Sequence, residues 1–124
     1  MITIKKSTDR SIITEKGWGE EVLLHNNMYC GKLLRFKEGS MFSMHFHGEK
    51  VETWYVNKGE FILVYVDTKV AEKHSVKLSV GDIIEVDRYQ PHQLIASTEG
   101  EIFEISTEHH DYDNYRIEKG DSQC

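Results

Sequence analysis

The stretch SMHFHGEKVETWYV, Ser43 to Val56, places His45 and His47 two residues apart and follows them, across a short polar turn, with Lys50 and Glu52. Alternate residues of a strand share a face. The two imidazoles can therefore converge on one ion, at about 2.0–2.2 Å from each nitrogen. Gly48, Glu49 and Lys50 read as a turn, and Glu52 on the returning strand offers a carboxylate oxygen to the same interior, so a hairpin delivers three donors. The fourth has to come from another strand, and His92 in RYQPHQLIA is the candidate. Three imidazoles and one carboxylate leave open positions on octahedral Mn, Fe(II), Co or Ni and also suit Zn. Open positions admit an exogenous ligand.

These donors need strands to carry them. Apolar residues alternate or run in short β-branched and aromatic blocks: SIIT, EEVLLH, YCGKLLRF, MFSMHFH, VETWYV, EFILVYVD, SVKLSV, DIIEVD, HQLIAS and EIFEIS. That makes about ten short strands. Turn signals separate them at Asn26-Asn27, Glu38 to Ser40, Gly48 to Lys50, Asn57 to Gly59, Val80 to Asp82 and Thr98 to Gly100. No stretch keeps a period of 3.6 over three turns, and the tail after Glu108 has room for a helical turn at most. An all-β chain must close or pair its sheets to hide their edges, so a small barrel or two-sheet jelly roll is expected.

With 124 residues, 39% of them hydrophobic, the chain has the material for one domain with one core. The formal charge of −6 comes with scattered basic residues, so no footprint for nucleic acid is present. The longest apolar run, Phe61 to Val66, is too short to span a bilayer, and the N-terminus MITIKKSTDR lacks the apolar region of a secretory signal. A cytoplasmic protein with reduced thiols at Cys30 and Cys124 is expected.

The spacing of Gly39, His45, His47, Glu52 and Gly59 resembles the first sequence motif of the cupin superfamily at every fixed position. Gly81 and His92 stand at the separation of the second motif, whose Pro, Gly and Asn are replaced by Asp87, Tyr89 and Ala96. The resemblance implies an all-β cupin jelly-roll barrel with a divalent metal at its mouth, often as a homodimer. The whole chain, 1–124, then forms a single domain with its core barrel at about 17–108. From Gly17 to Asp121 the pattern is similar to the cupin domain of type II mannose-6-phosphate isomerases. It resembles them in GWGEEVLL, in SMHFHGEKVETWYVNKGEF, and in FEISTEHHDYDNYRIEKGD with its acidic segment before Arg116. The metal string also resembles that of cupin-type D-lyxose isomerases.

Both resemblances imply aldose–ketose isomerisation of a carbohydrate. That reaction moves a proton between C1 and C2, which needs a Lewis acid on the two oxygens and a base near the carbon. Lys50 at the hairpin tip and Glu104, which interrupts the apolar strand IFEIS, are the candidate proton carriers. The plainer alternatives are an exposed turn lysine, and a Glu104 in water with Phe103 and Ile105 in the core. Arg35, Arg88 and Arg116 could bind a substrate phosphate. His109 and His110 are adjacent and read as surface residues, as do His25 and His74 in polar turns, while Trp54, Tyr55 and Phe61 read as barrel packing. Two other classes fit the same donors: an Fe(II)-dependent dioxygenase, and a non-catalytic sugar-binding cupin.

Overall fold

The computed structural model describes residues 1–124 as eleven strands and two single-turn 3₁₀ segments, Arg10–Ile12 and Asp121–Gln123. The strands are β1 (Ile13–Lys16), β2 (Gly19–Asn27), β3 (Tyr29–Phe36), β4 (Met44–Phe46), β5 (Glu52–Lys58), β6 (Phe61–Asp67), β7 (Glu72–Leu78), β8 (Ile83–Val86), β9 (His92–Ala96), β10 (Gly100–Thr107) and β11 (Tyr115–Glu118). They form two antiparallel sheets, one of six strands in the order β1-β2-β3-β10-β5-β8 and one of five in the order β11-β4-β9-β6-β7. No helix is long and apolar enough to cross a membrane. Period-two alternation drives the arrangement: β3 buries Cys30, Lys32, Leu34 and Phe36 and turns the residues between them outward. The inner faces meet in a core of Leu34, Phe36, Trp54, Val56 and Ile102 from the larger sheet against Phe61, Leu63, Leu94 and Ala96 from the smaller. Trp18 stacks on Phe36 at a centroid distance of 4.5 Å and closes one end. This is the expected jelly roll.

Several local expectations change. β4 and β5 are not a hairpin, because β4 pairs with β9 and β11 in one sheet while β5 pairs with β10 and β8 in the other. Gly48 to Val51 thus crosses from wall to wall at the barrel mouth. The tail holds a strand, β11, whose partner is β4, and β7 runs on through the charged stretch to include His74. His25 likewise lies in β2, stacked on Tyr29 at 4.2 Å. Tyr55 is on the outer face of its sheet and 42% exposed, whereas Trp54 and Phe61 are core residues. Cys30 and Cys124 are both free.

Two turn positions show what the backbone demands. Gly59 has φ of 82°, and a Cβ there would run into the Glu99 carbonyl, so only glycine fits. Tyr89, where the second motif carries glycine, keeps a left-handed φ of 61°, a conformation costing a non-glycine residue about 1–2 kcal/mol. Its N–H donates to the His47 carbonyl at 2.7 Å, which fastens the turn before His92 to the end of β4.

Candidate metal centre

His45 in β4 and His92 at the start of β9 are register partners, so their rings lie side by side on the smaller sheet, 4.7 Å apart by centroid. His47, just past the end of β4, sits 5.0 Å from His45 and 5.6 Å from His92. One nitrogen from each ring lies within 4.8 Å of the others. Glu52 opens β5 on the opposite wall, with Oε2 3.4 Å from His47 Nε2 and Oε1 3.6 Å from His92 Nε2. Each imidazole is held from behind. His45 Nδ1 lies 2.8 Å from the Ser43 carbonyl, His47 Nδ1 2.6 Å from that of Asp113, and His92 Nδ1 2.8 Å from that of Gln90. A carbonyl only accepts, so each Nδ1 carries the proton and each Nε2 keeps its lone pair for the interior.

Burial pushes all three imidazoles below the ordinary histidine pKa, His47 to about 4, with repulsion from the other imidazoles or from Lys50 adding to it. All three are therefore neutral at pH 7, the form that binds metal. One polar atom of the donor set, His92 Nε2, is buried without a hydrogen-bond partner, which natural interiors rarely tolerate. Convergent neutral imidazoles, a carboxylate and this orphaned lone pair fit a divalent transition ion such as Mn, Fe, Co, Ni or Zn.

The same shifts give a pH dependence. A group with lowered pKa in the fold binds fewer protons there than when unfolded. Stability of the metal-free protein therefore falls as pH drops below about 6.5, by about 3 kcal/mol for His47 alone once pH reaches 4. Glu104, whose pKa is raised, opposes this with a gain in stability on acidification, but it is one group against three. Urea midpoints of metal-free protein are expected to decline from pH 7 to pH 5, and a flat profile would contradict these assignments.

Behind the imidazoles lies a charged cluster. Lys50 and Glu104 are each only 4% exposed, so neither plain alternative holds. Glu104 points inward with Ile102 and Ser106, while Ile105 is exposed. Lys50 reaches inward because the crossing segment that carries it spans the barrel mouth. Its Nζ is 3.2 Å from Glu52 Oε2 and 3.5 Å from Glu104 Oε2. Burial pushes Lys50 down, yet the carboxylates of Glu104 and Glu52 outweigh it and hold the ammonium above the ordinary lysine value. For Glu52 burial is likewise outweighed, by Lys50 and the imidazoles, and its pKa is lowered; for Glu104 burial and the Glu52 charge raise it. These groups line a cavity of about 500 Å³ that also takes in Lys16, Glu21, Lys32 and Arg116. Arg35 lies elsewhere, bridging Glu20 and Glu101, and Arg88 binds the Glu49 carbonyl at 2.8 Å.

Asp113 is a residue the sequence reading missed. Its carboxylate accepts from the N–H groups of Gly48 at 2.7 Å, Glu49 at 3.1 Å and Lys50 at 2.9 Å, and its carbonyl orients His47. The acidic segment Asp111 to Asp113 was the visible signal, but nothing local ties it to a loop 63 residues earlier. Asp113→Ala strips the crossing segment of this clamp. We expect a loss of about 3 kcal/mol in stability and 10–100-fold weaker metal binding, measured by urea denaturation and calorimetric titration; near-wild-type values in both would remove Asp113 from the site. His109 also departs from expectation, since it lines the cavity, whereas His110 lies at the surface and stacks on Tyr112 at 5.2 Å.

A model of the cupin domain matches residues 32–107. The chain belongs to the cupin family. No curated protein matches this cupin in sequence. Among solved structures it is similar to the capsular polysaccharide assembling protein CapF from Staphylococcus aureus, with a TM-score of 0.74 and 16% identity over 86% of this chain and 34% of CapF. Oxalate decarboxylase from Bacillus subtilis gives 0.73 and 18%, over 85% of this chain and 29% of the enzyme. KdgF from Halomonas sp. gives 0.63 and 18%, over 75% and 81%. The cupin thus spans about a third of the length of CapF and of oxalate decarboxylase, and at these identities the likeness is one of fold.

Proposed function

We propose that His45, His47, His92 and Glu52 hold a divalent transition metal and that this cupin is an aldose–ketose isomerase acting on a sugar or sugar phosphate. The observation that carries the reading is one polar cavity lined by His45, His47 and Glu52 of the metal-donor set together with the buried Lys50–Glu104 pair. A bound ion would supply Lewis acidity to the substrate's carbonyl and neighbouring hydroxyl oxygens. The chain's own residues do the rest. The cavity walls offer ammonium, carboxylate and amide groups in place of an apolar surface, which suits a polyhydroxylated ligand. Lys50 remains an ammonium beside Glu52 and favours negative charge developing on substrate oxygen. Glu104, buried with its Oε2 3.5 Å from the Lys50 ammonium, would take or give the proton. Arg116 at the mouth is the candidate for a phosphate.

Incubation in deuterium oxide with mannose, lyxose, mannose 6-phosphate and fructose 6-phosphate tests the reading. Deuterium at C1 or C2 of one of them supports it, and no exchange with any counts against it. Oxygen uptake without exchange would favour the Fe(II) dioxygenase class, and sugar binding without either reaction the binding-protein class.

A homodimer and a cytoplasmic location are proposed with it. The outer face of the larger sheet sets exposed Tyr55 beside exposed Ile83, with exposed Ile105 close by on β10, an apolar surface of the kind that pairs with a second copy. Light scattering should give about twice the 14.5 kDa chain mass; a monomer would remove the dimer. Free Cys30 and Cys124 support the reducing compartment, and localisation of a tagged chain outside the cytoplasm would contradict it.

A further inference from the structure

We infer that the arm Met1 to Lys6 of each chain docks in a groove on a second copy of this cupin, so that two chains exchange their arms. The inference rests on the homodimer reading above. Met1 to Lys6 belong to no strand or turn, and Ile2 and Ile4 are 88% and 81% exposed. Ile2, Thr3 and Ile4 are β-branched, which favours an extended backbone. In that form Ile2 and Ile4 share one face, with Thr3 and Lys5 on the other. The arm is thus a short strand-forming segment with an apolar face that nothing in its own chain covers.

The groove lies at one end of the outer face of the larger sheet and encloses about 570 Å³. Met28 and Tyr29 at the β2–β3 turn, Val51 ahead of β5 and Ile105 of β10 give it apolar walls. Glu85 of β8 and Asp87 just beyond it form an exposed acidic side. Neither these carboxylates nor Lys5 and Lys6 take part in an ion pair within the chain. Charge complementarity therefore selects the occupant: the groove sets two carboxylates beside an apolar wall, and the arm sets two lysines directly after its isoleucines. Two copies that each carry a formal charge of −6 repel, and this contact opposes that repulsion where they meet.

The topology brings arm and groove together. The arm leads into the fold at β1, one edge of the larger sheet, and the groove borders β8, the opposite edge. A two-fold axis lying along the strands, between two such faces, sets the β1 edge of each copy over the β8 edge of its partner. Heights match as well. Lys5 Nζ donates to the Leu24 carbonyl at 3.1 Å, an exposed bond that docking exchanges for a carboxylate. The next residue, His25, is joined by register through Gly31, Ile105 and Thr53 to Glu85 in the groove. Six extended residues span about 20 Å, enough to cross the about 10 Å between stacked sheets.

Sedimentation and light scattering of the full chain over a dilution series at low salt test the exchange. The wild type is expected to be a dimer, and Ile2→Asp/Ile4→Asp should raise its dissociation constant by about 100-fold or more. Lys5→Glu/Lys6→Glu and Glu85→Lys/Asp87→Lys should each raise it by about tenfold. An equimolar mixture of these two should recover wild-type affinity as a heterodimer, because each arm then meets a groove of opposite charge. The groove variant makes the chain less acidic, so overall repulsion alone would tighten the pair, and its weakening reports the local contact. All six positions are exposed, and unchanged thermal midpoints would show the fold intact. A wild-type monomer overturns the dimer reading and the arm with it. A wild-type dimer that the isoleucine variant leaves as tight, or that the groove variant tightens, overturns the arm alone. Charge variants that fail to rescue one another overturn the exchange between copies.

Discussion

His92→Ala is expected to yield a folded protein that binds transition metal about 100-fold more weakly or worse and shows no sugar exchange. Removing a group that merely orients a ligand costs 10–100-fold in affinity, so removing a ligand should cost at least the upper end of that range. His92 is the donor whose loss is most informative. It comes from β9, outside the segment that carries the other three, and its Nε2 is one of the buried atoms without a partner. Its ring also packs between Trp54 at 5.4 Å and Phe42 at 6.0 Å. The truncation therefore leaves a cavity costing about 2–3 kcal/mol, offset in part because a buried polar group is gone. Titration calorimetry and metal analysis of His92→Ala beside His110→Ala, a surface control, measure the effect. Unchanged affinity in folded His92→Ala would remove it from the donor set.

Lys50→Met is expected to destabilise the metal-free protein by about 3–5 kcal/mol, the cost of taking the cation from buried carboxylates. Glu52 and Glu104 lie 3.2 and 3.5 Å from that ammonium, and without it at least one of them must take up a proton. Adding Glu104→Gln removes one buried charge, so the double variant should recover part of the loss, and the double-mutant cycle isolates the coupling. Urea denaturation at pH 7 reads all four proteins. A loss below about 1 kcal/mol for Lys50→Met would place the ion pair among weak surface pairs and contradict its burial.

Much of this site was legible in the chain because its signals are local. Period-two alternation sorts inner from outer residues, so His45, His47 and Glu52 could be placed on an interior from spacing alone. Eight of the ten expected strands overlap paired segments for most of their length, whereas SIIT is only half strand, Ser11 and Ile12 lying in the 3₁₀ turn that leads into β1, and MFSMHFH is strand only at Met44–Phe46. His92 was the candidate for a fourth donor from another strand, and its separation from Gly81 matches the second motif. What the sequence did not disclose depends on pairing between distant segments. The transfer of the chain from one sheet to the other between β4 and β5 follows from partners at β10 and β9, and the local turn signal at Gly48 to Lys50 reads the same for a hairpin. β11 lacks an apolar run and is a strand because β4 offers it an edge. Asp113 and His109 belong to the site through contacts across about sixty residues with the crossing segment, and Lys50 is buried for the same reason.

Elemental analysis of wild-type protein and His92→Ala, both purified without added metal or affinity tag, tests the central claim most directly. The account predicts about one equivalent of a transition metal per wild-type chain and almost none in the variant. A folded wild-type protein that carries no metal and takes up none on titration with Mn, Fe, Co, Ni or Zn would contradict it.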